Sequence, residues 1–190
     1  MTSKKFSRTL ALAVALLCAA GAQAAPLSLH NASITATYNG AASGMLGLDH
    51  LFVAEAGSNT TTLEPTNTGV EFFTADFLFG IDFDASGLLT VIANYKASPG
   101  NYRMTFDFGA SLASPITTFT FAGASGASGA PVLSIVDART IALDLNAVDW
   151  SEFGSLSAQL GTTAVPEPGG MALMLAGVAG LAFARRKRRH

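Results

Sequence analysis

The stretch DFDASG, residues 82–87, carries oxygen-bearing side chains at alternate positions. These side chains belong to Asp82, Asp84 and Ser86. With Gly87 they match the first half of a calcium loop, in which positions one, three and five supply ligands and position six is glycine. The second half does not match, because the twelfth position is Ala93 where such a loop needs a bidentate glutamate. The pattern therefore excludes an EF-hand.

A calcium site of another design stays open at the same place. Asp82 and Asp84 would bind the ion together with Asp76 or Asp107. No cofactor is expected otherwise, and calcium is the one metal that such a site could hold. The alternative is that these aspartates only keep the outer face of an apolar strand solvated.

Side chains for catalysis are few. Before the last residue, the chain beyond the N-terminal segment has only His30 and His50 as histidines, and it contains no G-x-S-x-G or H-E-x-x-H motif. Asp49 and His50 are adjacent, so on a strand they would point to opposite faces. We expect no enzymatic activity and no catalytic residues.

A sugar-binding sandwich usually stacks its ligand on exposed aromatic rings. Trp150 is the only tryptophan and lies in the polar stretch NAVDWSEFG. We consider it a candidate ligand residue for extracellular polysaccharide, with packing in the core or at an edge as the alternative.

The charge of the middle of the chain restricts its partners. Residues 25–164 hold twelve acidic and three basic side chains, a net charge of −9. A field of that sign repels nucleic acid and anionic lipid. We therefore expect no nucleic-acid partner.

Hydrophobic periodicity predicts strands throughout this region. Residues 71–84, EFFTADFLFGIDFD, alternate with period two and predict one long strand with a bend near Gly80. Its inward side chains would be Phe73, Ala75, Phe77, Phe79, Ile81 and Phe83. In residues 102–108 the inward side chains would be Tyr102, Met104, Phe106 and Phe108.

Further strands are predicted at SITATYN, LGLDHLFV, LLTVIAN, ITTFTF, VLSIV, TIALDL and SLSAQL, and AGASGASGAP is predicted as a loop. No helix is indicated between the two ends. The predicted fold is all-β, an antiparallel β-sandwich of which the jelly roll is one form.

The N-terminal 24 residues have the layout of a secretory signal peptide. A basic start is followed by an apolar stretch and by Ala22-Gln23-Ala24, an A-x-A cleavage site, so cleavage is predicted between Ala24 and Ala25. The one cysteine, Cys18, lies in this segment. The exported chain would therefore have no disulfide and no thiolate metal site.

The C-terminal segment, residues 165–190, has three consecutive parts. Val165, Pro166, Glu167 and Pro168 form a proline box, which should stay extended because proline lacks an amide proton and disfavours helix in the residue before it. A glycine-containing apolar run follows to Ala184, about 21–24 Å long as a helix and thus a short transmembrane span. The basic end that remains in the cytoplasm consists of Arg185, Arg186, Lys187, Arg188 and Arg189.

This order of box, span and basic end resembles the PEP-CTERM sorting signal of Gram-negative bacteria. The resemblance covers 26 of the 190 residues. It implies that an exosortase-type membrane protease recognises the chain in species that make extracellular polysaccharide. The middle region looks like the ectodomains found ahead of such tails, which largely lack an assigned activity.

We therefore expect three parts: signal peptide 1–24, β-sandwich ectodomain 25–164 and sorting segment 165–190. The chain would be exported, anchored transiently in the inner membrane, cleaved near the box and left at the cell surface or in the matrix. A structural or adhesive role in an exopolysaccharide or biofilm setting is expected. The alternative is a carbohydrate- or calcium-binding module.

Overall fold

The computed structural model describes residues 24–63 and 69–163. Within these ranges it has twelve strands and three single-turn 3-10 helices. The strands are β1 Ala24–Pro26, β2 Ser33–Tyr38, β3 Met45–Gly47, β4 Thr60–Thr62, β5 Phe72–Thr74, β6 Phe79–Phe83, β7 Leu88–Ala93, β8 Arg103–Asp107, β9 Thr118–Ser128, β10 Val132–Asp137, β11 Thr140–Asp144 and β12 Asp149–Thr163. The 3-10 helices are Ala42–Gly44, Leu48–His50 and Gly109–Ser111. No helix in this described part is long and apolar enough to cross a membrane.

The strands form two sheets. The larger has seven strands in the order β1-β12-β7-β6-β5-β3, with β9 also paired to β12. The smaller has five strands in the order β10-β11-β8-β2-β4. Every pairing with a described register is antiparallel, which confirms the all-β antiparallel prediction.

Both sheets contribute to one hydrophobic core. Phe83 on β6 of the larger sheet packs edge-on against Phe106 on β8 of the smaller one, with ring centroids 5.1 Å apart. Phe83 also meets Phe108 at 5.8 Å. As predicted, Met104, Phe106 and Phe108 are fully buried. Burying each such side chain contributes about 1.5–3 kcal/mol, so the two sheets stabilise each other.

The single long strand predicted over residues 71–84 is wrong. The chain turns between β5 and β6, where Asp76 Oδ1 accepts hydrogen bonds from Thr74 Oγ1 at 2.6 Å and from Leu78 N at 3.0 Å. Phe77 lies in this turn at φ +54° and is 51 % exposed. The turn changes which side chains of β5 face the core: Phe72 is buried there, and not Phe73 as predicted. The inward prediction holds for Phe79, Ile81 and Phe83.

Two other stretches differ from their predictions. The loop predicted at AGASGASGAP is largely strand, since β9 continues to Ser128 along β12. The strand predicted at LGLDHLFV is strand only at its start and then turns into the 3-10 helix Leu48–His50. At AGASGASGAP, the pairing with β12 overrides the local composition.

Candidate functional site

The predicted processing residues lie at the limits of the described structure. Ala24 and Ala25, which flank the predicted signal cleavage, begin β1. The proline box Val165–Pro168 and the basic residues Arg185–Arg189 lie outside the described residues, as does the predicted span between them.

The DFDASG stretch forms the tight turn between β6 and β7. Asp84 Oδ1 accepts three hydrogen bonds, from Ser86 N at 2.7 Å, Ser86 Oγ at 2.7 Å and Leu88 N at 2.9 Å. Gly87 has φ +84°, and a Cβ on it would lie 2.8 Å from the carbonyl oxygen of Leu27. The turn therefore engages Oδ1 of the Asp84 carboxylate in closing the backbone and requires glycine at position 87.

The carboxyl group that lies next to Asp82 is that of Glu71, which is not among the site residues predicted from the sequence. The Asp82 carboxyl group lies within hydrogen-bonding reach of Glu71, which precedes β5. Glu71 is 2 % exposed, and its Oε2 accepts the Phe83 N–H at 2.6 Å. Its Oε1 has no hydrogen-bond partner among the described residues. Sequence reasoning missed Glu71, because only the pairing of β5 with β6 brings it to Asp82.

Burial is the main cause of the raised pKa values of Glu71 and Asp82. The pKa of Glu71 is raised to about 7, chiefly by desolvation and also by the negative charge of Asp82, while the hydrogen bond from the Phe83 N–H acts in the opposite direction. The pKa of Asp82 is also raised, first by burial and then by the charge of Asp84. Both carboxyl groups therefore keep their protons to higher pH than free side chains would, and a protonated Glu71 can donate to the Asp82 carboxylate.

The other aspartates considered for calcium are held elsewhere. Asp76 closes the β5–β6 turn, and Asp107 lies on β8 of the smaller sheet, where its Oδ1 accepts the Gly109 N–H at 2.8 Å. In residues 24–63 and 69–163 no three histidine or carboxylate side chains form a group suited to a metal ion.

Of the two interpretations of Trp150, candidate ligand residue or packing residue, the structure supports packing in the core. The Trp150 side chain is 0 % exposed and packs edge-on against Phe79, with ring centroids 5.2 Å apart. The backbone of Trp150 bonds to Ala97 in both directions, at 2.8 and 3.1 Å, and this bridge holds the ring inside. A buried indole cannot stack on a sugar. Among the described residues, the exposed aromatic side chains are those of Phe77, Tyr95, Phe121 and Phe153.

A polar surface pocket lies at the end of β8. Its volume is about 340 Å³, and its lining includes Asn39, Asn101, Arg103 and Thr105. Amide, guanidinium and hydroxyl groups of this kind can bind sugar hydroxyls, although this lining has no aromatic ring on which a sugar could stack.

Comparison with known proteins identifies the C-terminal segment. Residues 164–189 match the family model of the PEP-CTERM protein-sorting motif. No curated protein and no solved structure matches the chain. The match covers the proline box, the apolar run and the basic end, and thus contains every C-terminal residue expected to act in sorting.

Proposed function

We propose that this chain, whose C-terminus is a PEP-CTERM protein-sorting motif, is an exported structural or adhesive protein of the cell surface or extracellular matrix. The motif supports export and processing by exosortase, a membrane enzyme. Beyond that, we propose a transient stay in the inner membrane, cleavage near the box, and retention of the β-sheet domain in an exopolysaccharide layer.

The order of the three C-terminal parts carries the proposal. An apolar run of about 21 Å is short for a hydrocarbon core of about 30 Å, which suits a temporary anchor better than a permanent one. The basic end keeps that terminus in the cytoplasm, so the acidic domain lies on the other side. The two prolines keep the box extended at the membrane surface, where a protease can bind it.

A structural role for the domain is supported by what its candidate side chains do. Asp84 closes a turn, Glu71 pairs the Phe83 N–H, and Trp150 fills the core. These residues stabilise the fold instead of presenting free groups to a ligand.

A carbohydrate-binding module is the second candidate. The observation in its favour is the polar pocket with Asn39, Asn101 and Arg103. The calcium alternative depends on Asp82, Asp84 and Ser86, and the hydrogen bonds of the turn do not favour it.

Mass spectrometry of the mature protein from the native cell tests the proposal. We expect a chain that begins at Ala25 and ends near Pro166–Pro168. The matched control is the double variant Pro166→Ala, Pro168→Ala, in which the box can become helical and the apolar run should stay attached. An intact basic end on the mature wild-type protein would contradict the proposal.

A further inference from the structure

We infer that two copies of the folded domain associate edge to edge through β10, which pairs antiparallel with the β10 of the second copy. This inference goes beyond sorting and does not depend on it, since it concerns the domain alone.

The free edge of β10 is the first observation. β10 is the terminal strand of the smaller sheet and pairs only with β11 in the described part of the chain. Its side chains are mostly exposed: Val132 59 %, Ile135 38 % and Val136 59 %, with Ser134 exposed as well. The strand therefore presents an unpaired row of backbone groups flanked by branched apolar side chains, which is a template for another strand.

Protection of this edge is limited to its two ends. Pro131 precedes the strand, and a register shift between Ile135 and Asp137 marks a bulge at its end. The residues between carry no lysine, proline or inward charge, the usual features that keep an edge from pairing. Val132–Ile135 is thus a regular, unprotected strand segment.

The lack of charge along most of β10 indicates what kind of partner can pair with this edge. Val132–Val136, the first five residues of β10, contain no charged side chain, although residues 25–164 carry a net charge of −9. The nearest acidic side chains are those of Asp137, which ends the strand, and Asp144, which lies opposite Val132 on β11. A cationic or anionic partner would find no opposite charge along Val132–Val136. A second copy is repelled by the acidic field of the other faces, but along Val132–Ile135 two uncharged segments meet.

Antiparallel self-pairing also satisfies symmetry. A two-fold axis through β10 makes a residue before the axis in one copy face a residue after it in the other copy, and the reverse. The same segment of each copy therefore supplies both halves of the interface. The two smaller sheets then continue into one another, and the edge is closed.

The test uses residues 24–163, which can be made alone because every described core residue lies between Leu27 and Leu160 of one compact unit. Sedimentation velocity over a concentration series should show a monomer that converts to a dimer. In the double variant Val132→Glu, Ser134→Glu, like charges face each other across the axis, and we expect roughly tenfold or greater weakening of association.

Two controls separate the edge from other effects. Val132→Thr, Ser134→Thr keeps strand propensity without charge and should associate like the wild type. Leu51→Glu places a charge at another exposed apolar side chain, 84 % exposed in the loop after β3, and should also associate normally. Cooperative melting of every variant, measured at a dilution at which the wild type is monomeric, establishes that all variants are folded.

Hydrogen exchange provides a readout that needs no variant. Amide protection of residues 132–135 should rise with wild-type protein concentration. A wild type that stays monomeric to its solubility limit, a glutamate variant that associates normally, or dissociation by Leu51→Glu alone would each overturn the inference.

Discussion

Glu71 and Asp82 bring two carboxyl groups together at the outer side of the β5–β6 pair, and the Glu71 side chain is only 2 % exposed. Glu71 lies just before β5, and its Oε2 accepts the Phe83 N–H, which has no partner on β5 itself. The hydrogen bond from the Phe83 N–H thus favours the ionised form of Glu71, whereas the burial of this side chain favours its neutral form.

Domain stability should fall as the pH rises through the range between the ordinary glutamate pKa of about 4.3 and the raised value of about 7. In this window the folded state binds more protons than the unfolded state, so each step up in pH favours unfolding. Thermal melting followed by circular dichroism should show a decrease of roughly 5 °C across the window.

The variant Glu71→Gln tests the cause of that decrease. Its amide oxygen can accept the Phe83 N–H, and its NH₂ can donate to Asp82, so melting should depend less on pH and be higher at neutral pH. Asp149→Asn, at an exposed carboxylate, is the control and should keep the wild-type slope. Equal slopes for Glu71→Gln and the wild type would refute the raised pKa of Glu71 as the cause of the decrease.

Trp150 should behave as a core residue. Its fluorescence should resist quenching by iodide until the domain unfolds, and matrix polysaccharide should leave the emission unchanged. Trp150→Ala should lower the free energy of unfolding by about 3–5 kcal/mol through the cavity it leaves. Tyr95→Ala is the matched control, since that ring is 60 % exposed. Iodide quenching of the folded protein would contradict this assignment.

The turn at Asp84 should be sensitive to its acceptor oxygen and not to calcium. Asp84→Ala removes the acceptor of three hydrogen bonds and should cost about 1–3 kcal/mol in a chemical denaturation curve. Asp84→Asn keeps Oδ1 and should cost less. Millimolar calcium should leave the melting temperature unchanged, and a clear rise that Asp84→Asn abolishes would establish a calcium site.

Deletion of residues 165–190 should change where the domain is found without unfolding it. The core lies between Leu27 and Leu160, so the truncated protein should still melt cooperatively. Cell fractionation should find it released from the membrane and the surface. A truncated chain that still reaches the surface in wild-type amounts would show that another segment directs sorting.

Local patterns predicted a large part of the fold. The alternation at β8 placed Met104 and Phe106 inward, as observed, because a strand with one buried face must keep period two. The same rule misplaced Phe73 and Phe77, because the Asp76 turn reverses the chain inside a pattern that alternates apart from Leu78. The small-residue stretch of β9 has no local strand signal and is ordered by its pairing with β12.

The sequence by itself determined the C-terminal sorting motif, the acidic character of the middle region and its all-β antiparallel class. These depend on residue order and composition, which need no long-range contact. Only the tertiary structure decided that Asp82 pairs with Glu71, that Trp150 is buried and that β10 is a free edge. Each of these depends on which strands become neighbours, and strand pairing is decided by contacts between residues far apart in the chain.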